Sequence, residues 1–233
     1  NNKTIKALDA CGGTGNASFI LKELGCDVQL VDLSKSMIEN FRAYCSNENI
    51  EIKSHISEIN EYFENCNKTY DLIIFSSALH HLKDPAKVLL NASKFLNTGG
   101  LIITIADPTQ KIQSFFFKLF SLIDESLNLL INDPKKLFKR LYKKFFYLNK
   151  NAKINNNQIE DWVAEFHAQN GINDLELVSK IEKNKLYILW HKRYTAGYTL
   201  LFQKLYKLLA FGTSFSLIIS NDSFHKDSFD INF

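Results

Sequence analysis

The sequence predicts an α/β protein in which a mainly parallel sheet is covered by helices on both faces. Three observations carry this. Over residues 3–107 short apolar runs alternate with helical patterns, the signature of consecutive strand–helix units. The runs are continuous rather than alternating, most clearly in Leu72-Ile73-Ile74-Phe75, as strands buried on both faces must be. The first run ends in Gly12, Gly13 and Gly15. Such a turn accepts positive φ, lets a ligand approach the backbone, and meets the N–H groups of the helix that follows. It reads as a nucleotide-cofactor site.

The elements follow in order. Ile5–Ala10 is the first strand, and Ala17–Leu24 is a helix stopped by Gly25. Val28–Asp32 is the second strand, and Ser34 caps a helix over Lys35–Asn47. Ile50–His55 is the third strand, followed by a short helix at Ser57–Asn65. Tyr70–Ser76 is the fourth. Asp84–Leu96 is a helix with Pro85 in its first turn, ended by Thr98-Gly99-Gly100, and Leu101–Ala106 is the fifth strand.

From Pro108 the alternation fails. Phe115–Ile131 is an apolar helical stretch interrupted by Lys118, Asp124 and Glu125. Lys135–Leu148 interleaves Leu137, Phe138, Leu141, Tyr142, Phe145 and Phe146 with Lys136, Lys139, Arg140, Lys143 and Lys144, a basic amphipathic helix. It reads as a helix packed on the domain with a solvated basic face, a lid over a hydrophobic substrate, or a contact with an anionic membrane surface. Gln158–Asn170 is a further helix, Leu175–Ile181 the expected sixth strand, and Leu186–His191 either extends the sheet or belongs to the cap. Thr199–Ala210 is helical and Thr213–Ser220 is the last strand. The expected units are a cofactor-binding core at 1–107, a helical cap at 108–171, and the remaining strands with a further cap helix and a frayed tail at 172–233.

Composition narrows the class. The chain is 45% hydrophobic with a net charge of +3, so nothing calls for a nucleic-acid partner. Cys11, Cys26, Cys45 and Cys66 form no CxxC or zinc spacing; no metal is expected, and reduced thiols point to the cytoplasm. No signal peptide is visible, and no apolar run reaches the length of about 18 residues that a membrane-spanning helix needs.

Two cofactors compete for the glycine turn. A dinucleotide fold wants a third glycine six positions into the motif, where Ser18 stands. The acid that ends the second strand, Asp32, suits ribose hydroxyls under either reading. The wider context separates them. Leu8-Asp9-Ala10-Cys11-Gly12-Gly13-Thr14-Gly15-Asn16, Val31-Asp32-Leu33-Ser34-Lys35-Ser36-Met37, Tyr70 to Leu82 with its His80-His81 pair, and Leu96-Asn97-Thr98-Gly99-Gly100-Leu101 together resemble the class I S-adenosylmethionine-dependent methyltransferases. The glycine turn is similar to that of the ubiquinone/menaquinone-biosynthesis methyltransferases. One departure is Cys11, where the family usually has Gly.

The resemblance implies a three-layer Rossmann-like, seven-stranded, mainly parallel sheet with a helical cap inserted after strand five. It implies S-adenosylmethionine as cofactor and S-adenosylhomocysteine as product. Asp9 would orient the methionine ammonium, directly or through water. Cys11, Gly13 and Gly15 would lie against the cofactor, Asp32 would hold both ribose hydroxyls, and Leu33 and Met37 would pack on the adenine. No Asp falls where the family meets the adenine amino group, so His55, Ile56 or Ser57 must serve. Ser76 should face the methionine portion.

Methyl transfer is a displacement that needs a general base only when the nucleophile must lose a proton. His80 and His81 are the first candidates, then His167 and His191. The end of the fourth strand, Phe75-Ser76-Ser77-Ala78, lacks the Asp/Asn-Pro-Pro-aromatic motif of amino-directed nucleic-acid enzymes. The Phe-, Leu- and Tyr-rich cap suggests a small apolar or aromatic acceptor. The alternative is a protein of the same fold that docks on an anionic membrane through its basic helix.

Overall fold

The computed structural model describes residues 4–110, 115–135, 171–195, 199–208 and 212–222. The basic stretch at 136–148, the helix expected at Gln158–Asn170 and His167 lie outside them. The elements are β1 (Lys6–Ala10), α1 (Asn16–Glu23), β2 (Asp27–Asp32), α2 (Lys35–Asn47), β3 (Lys53–Ile56), α3 (Ile59–Glu64), β4 (Tyr70–Ser76), α4 (Pro85–Ser93), β5 (Leu96–Pro108), α5 (Phe115–Asn132), α6 (Asp174–Lys183), β6 (Tyr187–Tyr194), α7 (Leu200–Leu208) and β7 (Ser214–Ser220). A short 3-10 turn, Leu79–His81, lies between β4 and α4.

The strands form one seven-stranded sheet in the order β3-β2-β1-β4-β5-β7-β6. β1 to β5 pair in parallel, and β7 runs antiparallel between β5 and β6. Successive strand residues face opposite sides, and each side is covered. On one, Ala7, Val28 and Ile74 meet Leu21 of α1, while Leu30 meets Ile38, Phe41 and Cys45 of α2. On the other, Leu8, Val31, Ile73, Phe75 and Ile102 meet Ile59 and Phe63 of α3, Val88, Leu89 and Ala92 of α4, and Leu177 and Ile181 of α6. This double burial is why the strands read as unbroken apolar runs.

Polar side chains set the helix starts. The Ser34 hydroxyl accepts from the Met37 N–H at 3.4 Å. Glu58 Oε2 accepts from Asn60 and Glu61 N–H at 2.8 and 3.1 Å, and Asp84 Oδ1 from Lys87 N–H at 3.1 Å ahead of Pro85. Each satisfies backbone donors that a helix start leaves open.

Two expectations are corrected. Leu175–Ile181 is not a strand but lies in helix α6. Its Asp-Leu-Glu-Leu alternation mimics a half-buried strand, yet Asn173 caps the segment, Asp174 and Glu176 sit in its first turn, and Lys180 and Lys183 in its last, the charge order that a helix dipole favours. Leu177 and Ile181, one turn apart, are the buried pair. The sixth strand is Tyr187–Tyr194, so Leu186–His191 extends the sheet. The other correction concerns Thr98-Gly99-Gly100, which does not stop α4. That helix ends at Ser93, and the glycines form a bulge within β5, where the pairing jumps from Tyr70↔Leu96 to Leu72↔Leu101. Gly99 holds φ +74°, and a Cβ on Gly100 would stand 3.1 Å from the Tyr70 carbonyl oxygen, so the bulge needs both glycines.

Asp174 is a structural anchor between α6 and β6. Its Oδ2 accepts from His191 Nε2 at 2.7 Å and Arg193 Nε at 2.6 Å, and its Oδ1 from Arg193 Nη2 at 2.8 Å. Burial alone would raise this carboxyl, but the hydrogen bonds from Arg193 and His191 hold it below its usual range. His191, a secondary candidate base, is spent in this cluster.

Candidate functional site

The carboxyl ends of β1, β2, β4 and β5 converge on one rim, where open parallel sheets place ligands. At the centre is Asp9, fully buried on β1. Its Oδ2 accepts from both the N–H and the hydroxyl of Ser18, at 3.0 and 2.7 Å. Its Oδ1 has no hydrogen-bond partner among the described residues. Burial pushes this carboxyl up to about 6, against the lowering effect of the Ser18 bonds. A buried carboxylate oxygen left unpaired is costly, so the site is poised for a cationic or donating ligand group.

The glycine turn is shaped around that carboxylate. A Cβ on Gly12 would stand 2.6 Å from Asp9 Cγ. The Gly12 N–H donates to the Val31 carbonyl at 3.2 Å, and the Gly15 N–H to the Gly12 carbonyl at 2.8 Å, which ties the turn to β2. Gly13 has φ +55° and open space where a side chain would be. Gly15 has φ +84°, and a Cβ there would strike the Phe41 ring.

Asp32 ends β2. Its Oδ2 accepts from the Gly13 N–H at 2.8 Å and its Oδ1 from the Ser34 N–H at 2.7 Å. A carboxylate accepts about four hydrogen bonds, so each oxygen retains capacity. Beside it Leu33, Met37 and Ile56 expose 69%, 42% and 43% of their surface, an apolar wall open to solvent at the rim. Ile56 is the register partner of Asp32 and shares its face of the sheet. His55 is on the opposite face, against Gln29 and the Tyr62 ring, so strand alternation separates it from Asp32. The Ser57 N–H donates to the Asp32 carbonyl at 3.1 Å, and its hydroxyl to the Glu58 carbonyl at 3.0 Å.

Three non-glycine residues on the rim hold left-handed backbone: Cys11 at φ +58°, Ser77 at +53° and Ala106 at +60°, just past β1, just past β4 and within the last turns of β5. Each costs about 1–2 kcal/mol, and such strain gathers at functional sites. It also gives the reason a glycine suits the position of Cys11. Burial raises the Cys11 thiol well above its usual range, so it is a neutral wall of the turn.

A family model described as a methyltransferase domain matches residues 1–192. The chain belongs to that methyltransferase-domain family. It is 25% identical over 129 residues to the ubiquinone biosynthesis O-methyltransferase of Hydrogenovibrio crunogenus, covering 55% of this chain and 52% of that protein. A second such protein, from Aliivibrio fischeri, is 26% identical over 115 residues. The chain spans about half the length of the curated relatives it matches. Among solved structures, an S-adenosylmethionine-dependent methyltransferase from Clostridium acetobutylicum superposes with a TM-score of 0.56 at 13% identity, over 92% of this chain and 83% of that one. A plantazolicin methyltransferase in complex with SAH gives 0.53 at 17% identity, over 95% and 77%. Both share the fold of this methyltransferase domain.

The other end of its rim holds the two histidines. Asp107, fully buried near the end of β5, accepts at Oδ1 from the His80 N–H at 3.2 Å and meets the His80 ring at Nδ1, 3.0 Å away. The His80 and His81 ring centroids lie 3.9 Å apart. Burial, and then the neighbouring His80, lower the basicity of His81. The histidines sit in the 3-10 turn Leu79–His81.

The structure therefore gathers Asp9, Cys11, Gly13, Gly15, Asp32, Leu33, Met37, Ile56, Ser57, Ser76, His80 and His81 along one rim and turns His55 away. Sequence reasoning assigned no role to Ser18 or Phe41, and read Gly12 only as part of the glycine turn. Ser18 counted there only as a missing glycine; its place one helical turn after Gly15, facing β1, is the signal that could have found it. Asp107, with Pro108, was legible from the sequence as the end of strand five at the cofactor rim, with a turn role and an active-site role both open.

Gly15 generates a direct prediction. Gly15→Ala combines a left-handed backbone with overpacking against Phe41, and should cost about 2–5 kcal/mol in urea unfolding. Gly13→Ala, with open space around it, should cost about 1–2 kcal/mol. Equal losses would mean that the Phe41 contact does not shape the turn.

Proposed function

We propose that this domain binds S-adenosylmethionine at the Asp9–Asp32 rim and transfers its methyl group to a small apolar or aromatic metabolite. The observation that carries the reading is the unpaired Oδ1 of a buried Asp9 beside a turn stripped of side chains. A methionine ammonium supplies the missing donor and charge, directly or through water. A dinucleotide phosphate would bring an anion to a carboxylate.

The remaining residues fit the same cofactor. Asp32 has one free acceptor position on each oxygen beyond its bonds to Gly13 and Ser34, suited to two ribose hydroxyls. Leu33 and Met37 offer apolar surface to the adenine, and Ile56 with Ser57 takes over the end of β3 from His55. Gly13 and Gly15 leave room along the turn, with Cys11 as its neutral wall, and Ser76 ends β4 on the methionine side. The bound cofactor supplies an electrophilic methyl carried on a sulfonium. The relatives named as ubiquinone biosynthesis O-methyltransferases support a small-molecule acceptor rather than nucleic acid.

On this reading α5 and α7 belong to the substrate side. The Phe120 and Phe202 rings pack at 6.3 Å, and the buried Asp124 accepts from the Thr199 N–H and hydroxyl at 2.9 and 2.7 Å. These contacts support α5 and α7 as parts of a helical lid. Four unbridged cysteines support the cytoplasm as the compartment. A second reading has its own observation. Leu119, Leu122, Ile123, Leu127, Leu130 and Ile131 form an exposed stripe along α5, and the basic run from Lys135 follows directly in sequence. Apolar surface beside cationic charge suits an anionic bilayer, which would bring a lipophilic acceptor to the site. Vesicles containing phosphatidylglycerol should then sediment the protein, and charge reversal at Lys139, Arg140, Lys143 and Lys144 should release it; failure of the unaltered protein to sediment removes this reading.

Calorimetric titration with S-adenosylhomocysteine tests the cofactor assignment. Asp32→Ala should weaken binding roughly tenfold or more, since it removes an ionised acceptor of two hydroxyls; unchanged affinity would reject the map. Binding should also depend on pH through Asp9. The free carboxyl, raised to about 6, must ionise to receive an ammonium. Affinity should therefore be full above pH 6 and fall below it, by up to about tenfold per pH unit. In Asp9→Asn this slope should vanish, with affinity already low.

A further inference from the structure

We propose that a second ligand site lies along the β3 edge of the sheet and takes a nucleoside di- or triphosphate, its phosphates on Lys6, Lys53 and Lys68 and its base against Tyr62 and His55. The site is separate from the cofactor rim and stands without the cofactor reading above.

Two cavities meet at Lys68. One, of about 390 Å³, opens among Lys6, Asp27, Lys53, Lys68 and Tyr70. The other, of about 500 Å³, opens among Arg42, Ser54, His55, Tyr62 and Lys68. Each falls in the range of small-molecule sites, roughly 300–1,000 Å³. Gln29, Asn67 and Lys68 line both, and the hydrogen bond from Lys68 Nζ to Gln29 Oε1 at 3.1 Å forms the partition. Lys6, Asp27 and Lys53 are the first residues of β1, β2 and β3, so the smaller cavity is at the end of the sheet away from the rim. Along β1, Lys6 precedes Asp9 by roughly 10 Å.

The smaller cavity is electropositive. Three lysines surround it against one acid, Asp27. The ammonium groups of Lys6 and Lys53 make no hydrogen bond or ion pair among the described residues. Lys68 gives one bond, to Gln29, and an ammonium has further donors to offer. Like charges gathered at one cavity repel, and a phosphate relieves that repulsion while taking up the open donors. A neutral ligand would do neither.

The larger cavity has a wall of two oriented rings. Tyr62 and Tyr70 share a hydrogen bond of 2.6 Å between their hydroxyls, and the Tyr70 hydroxyl donates to Gln29 Oε1 at 3.3 Å. With two donors on that oxygen, Gln29 Nε2 is left to donate to His55 Nε2. Gln29 and Tyr70 are buried, so the chain of bonds is shielded from water. It holds the His55 and Tyr62 rings with centroids 5.5 Å apart, a surface on which a base can stack. Arg42 lies across the edge. Its Nε and Nη2 donate to the Ser54 hydroxyl and carbonyl at 2.9 and 2.8 Å, which fixes the guanidinium and leaves its other donors open. Burial, and then the charges of Lys68 and Arg42, lower the basicity of His55, so both cations act on one ring. Glu61 is the one carboxylate in this lining, and Asn65 and Asn67 offer amides to the edge of a base. A ring beside Tyr62 with phosphates beyond Lys68 spans both cavities, and that is the shape of a nucleotide. Ile56 and Ser57 line the larger cavity as well as the rim, so the test must separate the two sites.

Calorimetric titration with ATP does so, with adenosine and pyrophosphate as partial probes. ATP should bind one to one, at least tenfold tighter than either probe, and more weakly as salt is added. Saturating S-adenosylhomocysteine, and Asp32→Ala, should each leave ATP affinity within about twofold. Lys6→Glu combined with Lys53→Glu changes two exposed side chains and should weaken ATP at least tenfold. Tyr62→Leu should weaken ATP about tenfold and leave pyrophosphate unchanged, while Tyr62→Phe, which keeps the ring, should stay within about threefold of the unaltered protein. Circular dichroism shows that each variant is folded. Displacement of ATP by S-adenosylhomocysteine, or its loss in Asp32→Ala, would put the nucleotide at the rim and overturn the proposal. So would pyrophosphate binding as tightly as ATP, or no ATP binding by the unaltered protein.

Discussion

The site depends on one buried carboxylate. Asp9 is fully enclosed at the end of β1, and two bonds from Ser18 join it to α1. Strand, turn and helix are thereby locked around a charge that the protein alone only half satisfies. The constraint propagates outward. Gly12 must lack a side chain because the Asp9 carboxyl occupies that space, and Gly15 must because Phe41 of α2 does. Phe41 in turn closes the core between α2 and Leu30 of β2. A change in the glycine turn is therefore a change in the packing of one whole face of the sheet.

The same economy shows at the other end of the rim. Asp107 is also fully buried and also has one oxygen without a partner among the described residues; it spends the other on the segment after the neighbouring strand β4, where Asp9 spends its own on the helix after β1. In both places burial raises the carboxyl. Cys11, Ser77 and Ala106, in left-handed backbone, mark the ends of the three strands that carry these groups. Strain and unsatisfied charge are concentrated along the rim, while the opposite edge of the sheet is closed by a saturated cluster, Asp174 with Arg193 and His191. The contrast separates two histidine–aspartate pairs that look alike in a list. His191 serves an acid already engaged by a guanidinium; His80 keeps a free nitrogen.

Much of this was legible from residues alone. Continuous apolar runs gave five strands because double burial leaves no polar alternation to read, and Ser34 and Asp84 marked helix starts because backbone donors there need an acceptor. The glycine turn followed by Asp32 pointed to the rim at the ends of β1 and β2. What misled was local pattern without context. Asp174-Leu175-Glu176-Leu177 alternates as a strand does, yet the Asn173 cap, the charge order along the segment and the burial of Leu177 and Ile181 one turn apart make it helical. Gly99 and Gly100 follow a helix as a stop signal would, yet they serve a bulge whose need arises from the Tyr70 carbonyl on the next strand.

The sequence by itself determined the first five strands, the glycine turn and the chemical type of each rim residue, because these rest on periodicity and on backbone freedom within a few residues. Only the tertiary structure decided which of those residues meet. Strand alternation sent His55 to the face opposite Asp32, and helix geometry aimed Ser18 at Asp9. The parallel register of β4 with β5 brought Asp107 to His80 across 27 residues of chain. Such contacts are set by the pairing of distant strands, and no local spacing encodes them.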